Sequence, residues 1–154
     1  MRFARLSLPV AVLAGSAILS PAARAQNYSS QVQFQFRIIK TFAESVGYQE
    51  AHKVLLSSLR DDAEETQNLQ LEGGWEYRVM GLCDADCSDI DLFVSDPSGT
   101  QVGSDTGTSD APIVDFSAPR DGRYQVRVRM AACSNQPCYY GVAAFGKRLG
   151  SGGT

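Results

Sequence analysis

Cys83–Gly99, CDADCSDIDLFVSDPSG, holds the clearest strand-and-turn signal in the chain. Within it Ile90, Leu92 and Val94 alternate with Asp89, Asp91, Phe93 and Ser95. A period of two marks a strand with one buried face. Asp96-Pro97-Ser98-Gly99 then reads as a tight turn: Asp caps it, Pro97 presets φ at the second position, and Gly99 takes the closing geometry. Thr100-Gln101-Val102 continues as a return strand. Asp91 shares the second face of the first strand with Phe93. Strands disfavour Asp, so this one calls for a hydrogen-bonded carboxylate, a metal ligand or an exposed edge.

The same alternation extends on both sides. Upstream, Leu69 and Leu71 alternate with Asn68 and Gln70, Gly73-Gly74 follows, and Trp75, Tyr77 and Val79 alternate with Glu76, Arg78 and Met80. This reads as strand, Gly-Gly turn, strand. Downstream, Gly103–Asp110 is a loop rich in Ser, Thr, Gly and Asp, and Ile113–Phe116 is a short strand. A turn over Ala118–Gly122 leads into the cleanest amphipathic strand, where Tyr124, Val126, Val128 and Met130 alternate with Gln125, Arg127 and Arg129. Tyr139–Phe145 closes the series. Seven or eight short strands at regular spacing predict a mainly β protein, an antiparallel β-sandwich.

The N-terminal part has a different period. From Gln31 to Val46, Val32, Phe36, Ile39 and Val46 repeat at helical spacing, with Phe34, Ile38 and Phe42 widening the stripe, and Gly47 ends it. Tyr48, Ala51 and Leu55 suggest a second, shorter helix over 48–56. His52, the only histidine, lies there. A histidine can serve as base or metal ligand, but no Cys, Ser or acid motif nearby completes a catalytic set, so a surface role is expected. Ahead of all this stand a basic start with Arg2 and Arg5, an apolar run from Leu6 to Leu19, and Ala23-Arg24-Ala25. These are the parts of a Sec-type signal peptide cleaved after Ala25. The expected plan is a leader over 1–25, a helical segment over 26–55, a sandwich over 56–146 and a Gly/Ser tail over 147–154.

Charge and cysteines bound the function. Losing Arg2, Arg5 and Arg24 with the leader leaves 11 basic against 17 acidic residues, a formal charge of −6. That excludes the basic face a nucleic-acid partner needs and argues against docking on anionic membranes. No membrane insertion is expected after cleavage, and the location is periplasmic or secreted. In an exported chain, Cys83, Cys87, Cys133 and Cys138 are expected as two disulfides. A four-thiolate zinc site is the rival. The local pairs are favoured because each flanks a short loop between predicted strands, as across a hairpin; pairing between the loops stays open.

In order, Gly74-Trp75-Glu76-Tyr77, Asp89-Ile90-Asp91-Leu92-Phe93 with Asp96-Pro97-Ser98-Gly99, and Ala118-Pro119-Arg120-Asp121-Gly122-Arg123-Tyr124-Gln125-Val126-Arg127-Val128 resemble the landmarks of the bacterial pre-peptidase C-terminal (PPC) domain. The resemblance spans residues of about 56 to 146 and implies a compact, jelly-roll-like sandwich. Such domains are usually appended to secreted peptidases, and some bind matrix proteins or polysaccharide. Here a helical segment, not a peptidase domain, precedes it, and paired cysteines are not a general feature of the family.

Between Val79 and Pro119 there are eight aspartates and no Lys or Arg. Asp84, Asp86, Asp89 and Asp91 lie on or beside one cysteine-bounded loop and are the candidate ligands for calcium, which takes six to eight oxygens. The resemblance adds that some related collagen-binding modules use calcium. Against it, the EF-hand pattern is absent and aspartates are ordinary loop caps. Arg123, Arg127 and Arg129 form a stripe on one strand, either a solvated face paired with Glu76 or a docking surface for an acidic partner. The expected function is a non-catalytic exported binding or accessory module, its partner an exported protein or polysaccharide. The alternatives are a calcium-stabilised domain assisting another exported protein's folding or secretion, and a small hydrolase using the aspartates.

Overall fold

The computed structural model describes residues 21–150, with side chains described from residue 28 onward. Residues 1–20 of the leader expected over 1–25, and 151–154 of the tail expected over 147–154, lie outside the described residues. The elements in chain order are α1 (Pro21–Ser45), β1 (Gln49–Leu59), β2 (Glu64–Leu71), β3 (Trp75–Cys83), β4 (Cys87–Ser95), β5 (Gln101–Asp105), β6 (Ile113–Ala118), β7 (Gly122–Cys133) and β8 (Cys138–Arg148).

The strands form two antiparallel four-stranded sheets, ordered β1-β8-β3-β6 and β2-β7-β4-β5. We call them sheets A and B. Consecutive strands mostly alternate between sheets, and this order is that of a jelly roll. The connections β1–β2, β3–β4, β5–β6 and β7–β8 all cross between sheets at one end. The Gly73-Gly74 connection therefore does not make a hairpin, because β2 and β3 lie in opposite sheets. It is a tight crossing: a Cβ on Gly73 would stand 2.7 Å from the Arg120 backbone, and Gly74 has φ +76°. Only β4 and β5 turn back within one sheet, through the Asp96–Gly99 turn.

The alternation read from the sequence supplies the core. Ile90, Leu92 and Val94 of β4 and Tyr124, Val126, Val128 and Met130 of β7 are fully buried, facing Tyr77 and Val79 of β3 and Tyr140, Val142 and Ala144 of β8. Burial of each aliphatic side chain stabilises by about 1.5–3 kcal/mol relative to exposure.

Residues 48–56 are not a second helix. From Gln49 on they belong to β1, which pairs with β8 from Gln49↔Gly146 to Leu59↔Cys138, so the sandwich begins before residue 56. Ala51, Leu55 and Leu59 pack on the inter-sheet core. A spacing of four suits one face of a strand as well as a helical ridge, and the free edge of β8 decides for strand. Likewise, Lys147 and Arg148 are paired residues of β8, not tail.

α1 stops where Gly47 predicts. Gly47 takes φ +87°, its N–H donates to Glu44 O, and the Tyr48 N–H donates to Ala43 O, a Schellman cap. The helix lies on the outer face of sheet A. Val32, Phe36, Ala43 and Tyr48 join Ala143, Phe145 and Leu82 in a second apolar cluster, with Ile39 against it. Phe34, Ile38, Phe42 and Val46 do not share this buried stripe; all four are exposed.

α1 packs closely on Gly141 of β8, where a Cβ would meet Phe36 at 2.8 Å and Val32 at 2.9 Å. Gly141→Val is expected to cost about 1–3 kcal/mol through overpacking. The measurement is chemical denaturation with limited proteolysis, and cleavage should concentrate in 28–46 as the helix lifts from the sheet.

Candidate functional site

The four cysteines gather at the end where the loops cross. Cys83 pairs with Cys87 and Cys133 with Cys138, each with a Cα–Cα separation of 5.9 Å. The local pairing is the expected one, but the geometry is not that of hairpins. β3 and β8 lie in sheet A and β4 and β7 in sheet B, so each bond ties one sheet to the other. Cys87 and Cys133 are cross-strand partners, which places the two bonds side by side.

Asp84 locks these corners together. Its side chain is buried, and its two carboxylate oxygens accept from the Tyr139 N–H at 2.7 Å and the Asp86 N–H at 3.2 Å. Its own N–H donates to Tyr139 O at 2.9 Å. Asp86 O accepts from the Ser134 N–H and hydroxyl, and its carboxylate accepts from Asn135. From the third crossing, Asp61 accepts the Cys133 N–H at 2.7 Å. Asp89 accepts the Ser109 N–H of the fourth.

Asp91 is elsewhere in its bonding. It is 5 % exposed on the outer face of sheet B, 3.5 Å from Arg129. The expected calcium ligands thus do not converge: Asp84, Asp86, Asp89 and Asp91 each serve a different partner. Among the described residues no group of three or more His, Cys, Asp or Glu is placed to hold a metal ion.

Their environments separate the carboxyl groups. Burial pushes the Asp84 carboxyl up, against the pull of its backbone donors. Burial and then the Asp89 charge raise Asp91, opposed by Arg129. Asp96 goes the other way, to about 2, chiefly through its hydrogen bond from the Ser98 hydroxyl, with Thr100 N–H and Arg120 adding to it.

The arginine stripe is largely spent on ion pairs. Arg127 meets Glu64 at 2.7 Å and stacks over Phe93 at 3.8 Å, and Arg129 bridges Asp62 at 2.7 Å to Asp91. Glu76 is not their partner: it lies in sheet A, where it accepts from the Tyr48 hydroxyl and pairs with Lys147. Arg123 alone of the three makes no ion pair among the described residues. His52 sits half-buried on β1 with Nδ1 2.8 Å from Lys53 O. Tyr140 is core, hydrogen-bonded to Glu65 and Gln67; Tyr139 stacks on Tyr28 of α1 at 6.0 Å.

A concave site that the sequence does not announce lies between the starts of β1 and β3 and the end of β2. It encloses about 260 Å³ and is lined by Gln49, Glu50, Gln70, Glu72, Trp75 and Tyr77. The Trp75 and Tyr77 rings lie near parallel, 21° apart with centroids at 6.4 Å. Both lie over Gly146 of β8, where a Cβ would stand 2.7 Å from Tyr77. The Tyr77 hydroxyl accepts from Glu72 N–H at 2.9 Å and donates to Glu72 O at 3.1 Å, which fixes the rim. Lys40 pairs with Glu50 at 2.5 Å, and the Arg148 guanidinium stands 5.1 Å from the Trp75 ring centre. Two carboxylates and two cations therefore balance around an aromatic pair. Two sequence-distant stretches build this cleft, the start of β1 and the β2–β3 connection with the residues around it, and the first was expected to be helical; the lone tryptophan was its only visible signal.

Residues 62–129 match the family model of the bacterial pre-peptidase C-terminal domain. This stretch is a PPC domain. No curated protein matches the chain. The matched residues run from the turn before β2 almost to the end of β7. The PPC family is a non-catalytic one, and the two disulfides suit an extracellular location. Among the described residues no helix is long and apolar enough to cross a membrane.

Two measurements check this end of the molecule. In a carbon-detected NMR titration, Asp96 is expected to protonate near pH 2 and Asp84 above the ordinary carboxyl range near 4. The signs for stability are opposite. Asp96 stabilises the fold above pH 4, and that contribution is lost as pH falls toward 2. Asp84 favours the folded state in its protonated form, so its contribution declines as pH rises through its raised pKa. Separately, replacing Cys133 and Cys138 together by Ala is expected to cost about 2 kcal/mol in denaturant unfolding, as fits so short a loop.

Proposed function

We propose that the protein is an exported, non-catalytic binding module whose PPC sandwich holds an uncharged saccharide ring in the cleft beside Trp75. The observation that carries this reading is the pairing of an aromatic floor with a rim of amides and carboxylates. A sugar ring offers an apolar C–H face to an aromatic and hydroxyls to Gln49, Gln70 and Glu72, the mixture of stacking and placed polar groups on which small-ligand sites rely. The pairing of Glu50 with Lys40 and the Arg148 guanidinium beside Trp75 favour a neutral ligand over a cation.

The aspartates support a structural role in this reading. The Asp84 and Asp89 carboxylates accept backbone N–H groups and that of Asp86 accepts from the Asn135 side chain, and a calcium ion would have to displace those bonds. Export fits the two disulfides. The proposed cleavage after Ala25 falls within the first residues of α1.

Trp75 is the only tryptophan, so its emission reports the cleft directly. Neutral β-linked oligosaccharides of glucose and N-acetylglucosamine should each be titrated, with an N-acetyl-lysine amide as cationic control. A saturable emission change with a neutral sugar is expected, weakened about fivefold by Gln70→Ala, in proportion to one lost hydrogen bond. A response to the lysine derivative alone, or to neither, would rule the saccharide reading out. Melting temperature should be the same in calcium and in chelator; a calcium-dependent rise lost in Asp89→Asn would restore the metal reading.

A further inference from the structure

The two disulfides are close enough to exchange partners. Cys87 opens β4 and Cys133 closes β7, and the two residues stand opposite each other in sheet B. The Ser134 N–H donates to Asp86 O at 2.9 Å, one residue outside this pair on each strand, and the irregularity of β4 begins only after Cys87. That bond marks Cys87 and Cys133 as a non-hydrogen-bonded pair, the antiparallel position where Cα atoms come within about 4.5 Å and side chains are nearest. Both side chains point between the sheets, since each is bonded to a cysteine of sheet A. A pair so placed is within the span of a disulfide.

Cys83 and Cys138 have no such relation. Across β3 and β8, Cys83 is opposite Tyr140, so Cys138 is its diagonal neighbour. Diagonal neighbours stand about 7–8 Å apart, beyond the roughly 7 Å that a disulfide bridges without backbone movement. The alternative is therefore one-sided: Cys87 bonds Cys133, and Cys83 and Cys138 are left as thiols. Exposure runs the same way, with Cys133 at 8 % and Cys87 at 6 % against 3 % for Cys83 and 0 % for Cys138.

We propose that the cysteine cluster is a redox switch, in which two-electron reduction by a dithiol moves the remaining bond to Cys87–Cys133. One thiolate of the dithiol attacks Sγ of Cys133, the least enclosed of the four, and Cys138 leaves as thiolate. The second thiolate attacks the mixed disulfide, which closes the oxidised dithiol and releases Cys133 as thiolate. Cys133 then attacks Cys87 Sγ, and Cys83 leaves. The dithiol has given up two electrons and two protons, and the protons end on Cys83 and Cys138. Both of these lie in the inter-sheet core, where a free cysteine packs as a small apolar side chain. Two ties between the sheets are exchanged for one within sheet B, at the opposite end of β3 from the Trp75 cleft.

Disulfide mapping of the full oxidised chain tests this. Dithiothreitol is added to the native protein up to one equivalent, thiols are trapped with N-ethylmaleimide at intervals, and the peptides are identified by mass spectrometry. The one-disulfide fraction is expected to carry Cys87–Cys133 as its main bond, with Cys83 and Cys138 alkylated. In denaturant that preference should be lost, because chain closure then favours the short loops. A native one-disulfide fraction that keeps Cys83–Cys87 or Cys133–Cys138 overturns the inference, as does a Cys87–Cys133 bond that forms equally in denaturant. As a second probe, Cys83→Ala together with Cys138→Ala removes both leaving groups. The remaining cysteines should close to an intramolecular bond under mild oxidation and raise the melting temperature by about 5 °C or more over the reduced form, because the loop they close is long. Two thiols that persist in that folded variant overturn the proposal as well.

Discussion

Sheet A holds together through β8, and from Tyr140 to Gly146 β8 has no solvent-facing side. Its Tyr140, Val142 and Ala144 fill the space between the sheets, while Ala143 and Phe145 lie under α1. It pairs with β1 on one edge and β3 on the other. A strand buried on both faces must be apolar throughout and small where another element comes close, and Gly141, Ala143, Ala144 and Gly146 meet that demand. The glycines permit two close approaches: α1 descends onto Gly141, and the Trp75–Tyr77 pair lies over Gly146. The helix dock and the cleft are thus both consequences of the same strand.

The opposite constraint operates at the loop end. Four connections cross between sheets there, and each brings backbone N–H groups out of regular pairing. Buried donors left without acceptors would be costly. The carboxylates of Asp61, Asp84 and Asp89 supply acceptors, and the two disulfides hold the corners that they cap. This accounts for the density of acid in a stretch without Lys or Arg. The charge is distributed over separate backbone partners, and for Asp84 the cost of burial is visible as a raised pKa. Asp91 is the exception, since it is buried against a side chain, Arg129, and not against backbone.

The outer faces are treated differently. Sheet B is finished by a cross-strand lattice, with Arg127 between Glu64 and Phe93 and Arg129 between Asp62 and Asp91. Exposed pairs of this kind contribute little stability individually but keep a flat sheet face polar. Sheet A is covered by α1, which hands the problem outward: a helix that buries one apolar stripe leaves the second in water.

The alternation of apolar and polar residues in β4, β6 and β7 was legible from sequence because a strand in a two-layer sandwich has one face in the core. The Gly47 helix end and the PPC landmarks were legible for similarly local reasons, and the short cysteine spacings favoured the pairing found. Sequence alone therefore determined the fold class and the end of the first helix, and it favoured the disulfide pairing found while leaving the other open. Tertiary structure decided that 49–59 is a strand, because a spacing of four fits helix and strand alike and only the open edge of β8 selects between them. It also decided that the disulfides span sheets, that the aspartates serve separate loops, and that Trp75 meets Gln49, Gln70 and Glu72. Those outcomes depend on which strands become neighbours, and a period of two carries no information about pairing.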